Sequence, residues 1–311
     1  MGKKSAKRKW SRVEMFLWSM ILYKYFRPYQ RQNDNRIIVE DLLTRLLIRF
    51  TPPSDFDDPF DCLPQVEGLE NPEFFRRLFK GSAANFKEVR HFDKLPLEEK
   101  IFQEGRLGEL EERKVQIDIS NSEKWEKVYL DSLKKRAHSQ IGILCLTERP
   151  DDILMWSHYA ENHTGFVVGF DTERADFFRH KLHEPGEIGE LRKVNYSNER
   201  PAVRVPYTEE SPDVDIFFTK NEDWKYQAEW RIVRFLRDAN SKPQPSIHLF
   251  SIPPNCIQEI IFGSNAEKTK EPSIEPTLQL IKNNPAFDEI KIKKARLSRK
   301  NYLLDISDFT A

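Results

Sequence analysis

Apolar positions recur along the chain with two different spacings. Helical spacing over residues 37–47 predicts an amphipathic helix. Continuous or alternating apolar runs predict strands, two of them on either side of this helix at residues 21–25 and 47–51. The remaining predicted strands all follow residue 140, at residues 141–146, 164–170, 191–196, 228–236, 257–262 and 289–294. Helix signals therefore concentrate early in the chain and strand signals late.

Between these regions, residues 71–137 are charged and carry apolar residues at helical spacing, which predicts a helical insertion. Strands and helices do not alternate regularly, so we predict an α+β fold with a mainly antiparallel or mixed sheet core and flanking helices. We expect residues 1–20 to form a basic N-terminal extension and residues 21–311 to form a single domain. Residues 201–212 and 241–245 are predicted to be loops within it.

Composition narrows the class of protein. Of the 311 residues, 39% are apolar and 32% are charged, and the mean hydropathy of −0.67 excludes an integral membrane protein. Fifty basic residues balance fifty acidic ones. A surface built throughout to hold nucleic acid is therefore not expected.

Basic residues nevertheless crowd at both ends, with six in residues 1–12 and six in residues 291–300. Lys291 and Lys293 alternate with isoleucines, which predicts a half-buried strand with a solvated cationic face. That face is either a charged edge strand that resists aggregation or a phosphate-contacting patch that works with the N-terminal tail. Nucleic acid is therefore a possible partner through the basic ends, whereas no membrane partner is expected and the sequence identifies no protein partner.

The three cysteines, Cys62, Cys145 and Cys256, lie far apart without a zinc-type spacing or a disulfide framework. We therefore expect a reducing, cytoplasmic location. The apolar run at residues 15–23 is too short to cross a bilayer and is not followed by a small-residue cleavage site. Phosphate-binding and nucleophile-elbow glycine motifs are not found in the sequence.

The most distinctive string is LMWSHYA at residues 154–160, preceded by two aspartates suited to a helix N-terminus. Core packing is the expected role of Met155 and Trp156. The same short helix carries three side chains that could bind a ligand, those of Ser157, His158 and Tyr159. His158 is interpreted either as a structural histidine or as a site residue.

A second string, at residues 224–233, combines aromatic residues with Glu229 and Arg231. Strand alternation places Glu229, Arg231 and Val233 on one face, with Trp230 and Ile232 on the other. The pair is either a surface ion pair of little energetic weight or an oriented catalytic carboxylate.

A third string is the acidic loop at residues 54–63, where Pro59 argues against a strand or a helix. Its carboxylates Asp57, Asp58 and Asp61 could ligate a divalent cation, but their spacing is not that of an EF-hand loop. Asx turns and helix capping explain the same residues. We predict no metal cofactor and keep these aspartates as the alternative.

Together these strings resemble one family. The shared motifs are YKY at 23–25, FxDPFD at 56–61, MWSHYAxxxxGFxxGFD at 155–171, VxY at 194–196, KxxxWxYxxExR at 220–231 and IxxIIFG at 257–263. Their order and spacing resemble the bacterial and phage family known as domain of unknown function 2971. Family members commonly have asparagine where this chain has Asp57.

The order of an aromatic first strand, a central Ser/Tyr motif and a late strand with a glutamate is also similar to the ADP-ribosyltransferase fold. This resemblance implies that Tyr25 and either Ser157 or Tyr159 hold NAD. It also implies that Glu229 engages the nicotinamide ribose and stabilises an oxocarbenium-like transition state. The candidate residues are Glu229, Tyr159 and His158 for catalysis, and Tyr25, Trp156, Ser157 and Arg231 for binding the cofactor.

The leading functional hypothesis is thus a cytoplasmic NAD-consuming enzyme, an ADP-ribosyltransferase or NAD glycohydrolase acting as a bacterial toxin or in phage defence. The alternative is a non-enzymatic module that binds a nucleotide, a nucleic acid or a protein, with aromatic residues as a stacking platform. A third option is a metal-dependent hydrolase that uses His158 with the loop aspartates.

Overall fold

The computed structural model describes residues 20–27, 38–68, 113, 122–178, 189–204, 214–244, 247–268 and 274–309. The chain divides into two compact units. The first unit comprises Met1–Thr51, Gly142–Val194 and Asp223–Ala311, and the second unit comprises Pro52–Ile141 and Asn195–Glu222. The predicted basic extension, up to residue 19, and most of the predicted helical insertion lie outside the described residues.

The elements follow the order that the apolar spacing predicts. Helices are α1 (Ile38–Thr44), α2 (Ser122–Gln140), α3 (Ile153–Tyr159) and α4 (Ile274–Lys282). Strands up to the middle of the chain are β1 (Ile21–Phe26), β2 (Leu47–Phe50), β3 (Gln65–Glu67), β4 (Ile141–Thr147), β5 (Phe166–Asp171), β6 (Arg192–Lys193), β7 (Asn195–Tyr196) and β8 (Ala202–Arg204). The later strands are β9 (Thr219–Lys220), β10 (Glu229–Phe235), β11 (Ser241–Gln244), β12 (Ile247–Ser251), β13 (Ile257–Phe262), β14 (Lys291–Leu297) and β15 (Leu304–Asp308).

The first unit is built on an eight-stranded sheet with the order β15-β14-β13-β5-β1-β4-β10-β6. Strand β1 runs antiparallel to both of its neighbours, and β5 also runs antiparallel to β13. Strands β13 and β14 are parallel. The sheet is therefore mixed and mostly antiparallel, which confirms the predicted α+β class.

Each face of this sheet carries its own apolar cluster. Leu22 and Phe26 in β1 belong to a large cluster that includes residues of α1 and α4 and of the three-stranded sheet β11-β12-β2. Tyr25, on the alternate face of β1, belongs to a smaller cluster with Met155 and Trp156 of α3. Helix α3 is thereby fixed to one face of the sheet, next to the ends of β1 and β5.

Several boundaries differ from the sequence prediction. The predicted strand at 191–196 is two short strands, β6 and β7, because Val194 bonds back to the Glu229 carbonyl (2.9 Å) before the chain pairs elsewhere. Strands β8 and β11 occupy segments predicted to be loops. Pro243 is tolerated in β11 because that strand is the edge of its sheet. The helix predicted at 37–47 ends at Thr44, and Leu46 has a left-handed φ of 53°.

Strand β14 also departs from the predicted edge strand with a solvated cationic face. It lies between β13 and β15, so β15 is the edge. Lys293 forms an ion pair with the buried Glu259 (2.5 Å), and Lys294 is 8% exposed and bonded to Glu267. An ion pair therefore occupies Lys293, one of the two lysines that the alternation placed in solvent.

In the second unit, two parallel strand pairs, β3 with β8 and β7 with β9, join segments that are distant in sequence. Asp61 of the acidic loop pairs with Lys220 of β9 (3.5 Å), and both side chains are buried. This ion pair links two of the motifs that carry the family resemblance. Across the described parts of both units, no helix has the length and apolar character needed to cross a bilayer.

Candidate active site

The centre of the candidate site is the buried carboxylate of Glu229, the first residue of β10. Arg231 donates to it twice, from Nε to Oε1 (2.7 Å) and from Nη2 to Oε2 (3.3 Å). Glu229 is 4% exposed and Arg231 is fully buried. The two side chains share one face, as strand alternation predicts, but the pair is buried and is not the surface ion pair that the sequence left open.

Two more polar side chains surround this carboxylate. The Cys145 thiol hydrogen-bonds to Glu229, and burial followed by the Glu229 charge raises the pKa of the thiol well above its usual range. The ammonium group of Lys24 donates to the Cys145 carbonyl oxygen (3.4 Å). Burial lowers the pKa of Lys24, while the charge of Glu229 acts in the opposite direction. The part of the sheet that carries Cys145, Glu229 and Arg231 is called the Glu229 face below.

The backbone immediately before Glu229 is tied to α3. Gln227, which is 3% exposed, donates from Nε2 to the hydroxyl of Tyr159 (2.9 Å). The Gln227 carbonyl accepts a hydrogen bond from the Thr147 hydroxyl at the end of β4 (2.5 Å). Ala228 adopts a left-handed φ of 42°, an uncommon conformation for a residue other than glycine. This strained connection leads into the strand that carries the carboxylate.

Tyr25 of β1 and Trp156 of α3 form an aromatic contact between the strand and the helix. Their rings meet edge to face with centroids 5.3 Å apart. The Tyr25 hydroxyl donates to the Arg149 carbonyl (2.7 Å), and the Trp156 indole N–H donates to the Pro150 carbonyl (2.8 Å). Tyr25 is 8% exposed and Trp156 is fully buried, so both serve as core residues in this structure. Burial also raises the pKa of Tyr25 above its usual range.

The remaining predicted side chains lie along α3. Asp152 caps its N-terminus by accepting from the backbone N–H groups of Leu154 and Met155. The Ser157 hydroxyl donates to the Ile153 carbonyl (2.9 Å). His158 is exposed and meets the Tyr159 ring edge-on, with centroids 6.3 Å apart. The structure therefore packs Trp156 and Tyr159 of α3 against the sheet beside Tyr25, whereas His158 is exposed.

One residue that was not among the predicted candidates, His163, lies 3.4 Å from the Ser157 hydroxyl through Nε2. Its ring stacks on Trp156, and its buried Nδ1 has no hydrogen-bond partner. Burial lowers the pKa of His163. The sequence did show this histidine just after the helix, but its approach to Ser157 depends on a sharp reversal of the chain.

That reversal is an uncommon backbone conformation. Glu161, Asn162 and His163 all have left-handed φ values of 47°, 54° and 66°. Each such residue costs on the order of 1 kcal/mol or more, so the turn persists only where its surroundings fix it. Asn265 supplies part of that support by bonding to the carbonyls of His163 (2.9 Å) and Asn162 (3.1 Å).

A second buried carboxylate, Glu259 of β13, offers a comparison with Glu229. It is also 4% exposed, and it pairs with Lys293. Tyr23 hydrogen-bonds to Glu259, and burial followed by that carboxylate raises the pKa of the Tyr23 hydroxyl. Each of these two glutamates thus has a basic partner on the sheet, but only Glu229 is preceded by a link to α3.

The acidic loop is occupied by turn and ion-pair contacts. Asp58 accepts the Phe60 backbone N–H (2.9 Å) in an Asx turn, Asp61 pairs with Lys220, and Asp57 is exposed. Within the described residues, no cluster of His, Cys, Asp and Glu has a geometry that could hold a metal ion.

The comparisons with known proteins agree with the motif resemblance. Neither the curated proteins nor the solved structures contain a match to the chain. Residues 155–232, which are 78 of the 311 residues, match the model of a family described as Protein of unknown function (DUF2971). The match begins in α3 and ends in β10, so it covers both Tyr159 and Glu229. Over this segment the chain is similar to the family of unknown function that its motifs resemble.

Proposed function

We propose that the protein is an NAD-consuming enzyme, an ADP-ribosyltransferase or NAD glycohydrolase, with its reaction centre on the Glu229 face. The observation that carries the proposal is the position of three candidate residues. Tyr25 belongs to the apolar cluster against which Tyr159 packs, and the hydrogen bond between Tyr159 and Gln227 connects α3 to the backbone just before Glu229. Sequence separations of 134 and 70 residues between them did not require this convergence.

In the proposed reaction, the bond between the nicotinamide nitrogen and ribose C1′ breaks, and its electron pair leaves with neutral nicotinamide. Positive charge develops on C1′ and the ring oxygen, and an ionised carboxylate beside them lowers the energy of that transition state. Water or an acceptor nucleophile then bonds to C1′ and releases a proton. The Arg231 guanidinium supports this role because it favours the ionised form of Glu229.

The Glu229 carboxylate is 4% exposed, so the proposal requires the face to open when NAD binds. We expect the 2.9 Å hydrogen bond between Tyr159 and Gln227 to be the contact that breaks.

The test is nicotinamide release from NAD by the full chain, with and without cell lysate, for wild type, Glu229→Gln and Glu259→Gln. The two glutamates are equally buried and both are ion-paired, so Glu259→Gln is a matched control for loss of a buried carboxylate. We expect Glu229→Gln to lose about 10²-fold or more in rate per folded molecule, as for loss of an electrostatic stabiliser. Glu259→Gln should retain activity.

Release that persists in Glu229→Gln would contradict the proposed role. Failure of the wild-type protein to release nicotinamide under any of these conditions would overturn the enzyme proposal and favour a binding module. Labelled ADP-ribose on a lysate protein would identify a transferase, whereas free ADP-ribose would identify a glycohydrolase.

A further inference from the structure

A separate cavity of about 210 Å³ lies entirely within the second unit. Its walls come from the acidic loop after β2, the segment that follows β7 and the start of the segment after β9. The residues that matter for its chemistry are Phe60, Ser197, Asn198, Arg200, Lys220 and Asn221. None of these was among the candidate site residues, although Phe60 and Lys220 belong to the family-type motifs.

Backbone hydrogen bonds and an ion pair fix the walls of the cavity. The parallel pair β7 and β9 continues past its ends, with Asn195 bonded to the Phe218 carbonyl (2.7 Å) and Ser197 bonded to the Lys220 carbonyl (3.0 Å). The buried pair of Lys220 with Asp61 attaches the acidic loop to the same strand. Breaking a buried pair of this kind is costly, so the loop is fixed beside the cavity.

An aromatic ring and a guanidinium stand at the cavity mouth. Phe60 is 59% exposed, a large exposed fraction for phenylalanine. The guanidinium carbon of Arg200 lies 6.0 Å from the centre of its ring. Arg200 is itself exposed, so its N–H groups are accessible to an anion. Glu199 also lines the cavity, together with the two cations Arg200 and Lys220.

Other polar groups of the lining can hydrogen-bond to the edge of a base. Asn198 is exposed, and its side-chain amide offers both donors and an acceptor. The Ser197 hydroxyl accepts the backbone N–H of Glu199 (2.9 Å), which orders the turn that presents Asn198. Nucleotide recognition recurrently uses three features. Aromatic rings or arginine side chains stack on the base, side-chain amides hydrogen-bond to the base edge, and a cation binds the phosphate.

We propose that this cavity binds one nucleotide, with the base against Phe60 and the phosphate at Arg200. The volume is smaller than the roughly 300–1,000 Å³ of pockets for drug-sized ligands, so it holds a single base and leaves the phosphate at the mouth. The nucleotide is either free or the end of a single strand. This proposal does not depend on the Glu229 reaction, because no lining residue of the cavity belongs to the Glu229 face.

The test measures binding of AMP, of ribose 5-phosphate and of a fluorescent single-stranded RNA oligonucleotide to the full chain. The variants are Phe60→Ala and Arg200→Gln. Arg237→Gln is the matched control because Arg237 is an exposed arginine that lies 4.6 Å from the Phe235 ring and is not among the residues that line the cavity. Circular dichroism and thermal unfolding check that each variant is folded.

We expect Phe60→Ala to weaken AMP binding about tenfold or more, since stacking on an aromatic side chain accounts for a 5- to 150-fold effect per base. Arg200→Gln should weaken AMP and flatten the salt dependence, while Arg237→Gln should leave binding unchanged. Ribose 5-phosphate should bind more weakly than AMP because it has no base.

Binding of AMP that depends on Phe60 identifies a free nucleotide as the ligand. Binding of the RNA oligonucleotide alone, again dependent on Phe60, identifies a strand end. If neither probe binds, or if the Phe60 and Arg200 variants bind as tightly as the Arg237 control, the proposal is overturned.

Discussion

The buried pair of Glu229 with Arg231 makes a quantitative prediction about stability. Replacing Arg231 by Met leaves the Glu229 carboxylate buried with no guanidinium, and Glu229→Gln leaves a buried cation without its counter-charge. Removing one partner of a buried ion pair costs about 3–5 kcal/mol. At about 1.4 kcal/mol per tenfold change, the ratio of folded to unfolded protein should fall by about two to three and a half powers of ten in each variant.

A double-mutant cycle separates the pair from its surroundings. The combined variant Arg231→Met with Glu229→Gln carries no uncompensated charge at this position, so its loss of stability should be smaller than the sum of the single losses. We expect a coupling energy of about 2–3 kcal/mol, the upper range for residues in direct contact. The assay is urea unfolding followed by circular dichroism and tryptophan fluorescence.

The matched control is Arg149→Met. Arg149 and Asp151 form an ion pair with the same sequence separation and the same Nε donor (3.1 Å), but their side chains are 48% and 43% exposed. An exposed pair of this kind contributes about 1 kcal/mol or less. If the Arg231 and Arg149 variants lose equal stability, or if the double variant loses the sum of the single losses, the buried pair does not behave as the structure implies.

Three further predictions follow from backbone packing and burial. Gly165→Ala should lower the free energy of unfolding by about 3 kcal/mol, because the alanine Cβ would lie 2.0 Å from the Phe26 carbonyl oxygen. A loss below about 1 kcal/mol, measured by urea unfolding, would contradict this packing. Burial lowers the pKa of His163, so the unfolded chain binds a proton more readily and stability should decline as pH falls below the ordinary histidine pKa of about 6.5. His163→Gln should show a shallower decline between pH 7.5 and 5, and equal slopes would contradict this reasoning. Burial raises the pKa of the Cys256 thiol to about 12 and also raises the pKa of the Cys145 thiol. Both cysteines should therefore react with a thiol reagent at pH 8 at least about tenfold more slowly in the native protein than in urea. Comparable native and unfolded rates at either cysteine would refute that prediction.

Much of the architecture could be predicted because it depends on local spacing. The alternation around Glu229 correctly placed it on the same face as Arg231, and the aspartates before residue 153 correctly marked the start of α3. The sequence could not predict how deeply these side chains are buried. Whether an Arg–Glu pair is buried depends on the strands and helices packed over it, which are distant in the chain.

The errors have the same physical origin. The sequence pattern of β14 was correctly interpreted as a strand, but Lys293 and Lys294 found partners on β13 and beyond it. His163 was missed because three consecutive left-handed residues turn its ring back towards Ser157, a conformation that residue type does not predict. The cavity of the second unit was missed because it forms only where the acidic loop meets β9 through the pair of Asp61 with Lys220.

The central claim, that Tyr159 and Glu229 serve one reaction centre, is tested most directly by the rate of nicotinamide release from NAD in four proteins. These are wild type, Tyr159→Phe, Glu229→Gln and the variant with both substitutions, each compared per folded molecule. Residues that act as a unit give non-additive losses, so the double variant should be no slower than Glu229→Gln alone. Wild-type release with an unchanged rate in Glu229→Gln, or no release by any of the four proteins, would contradict the claim.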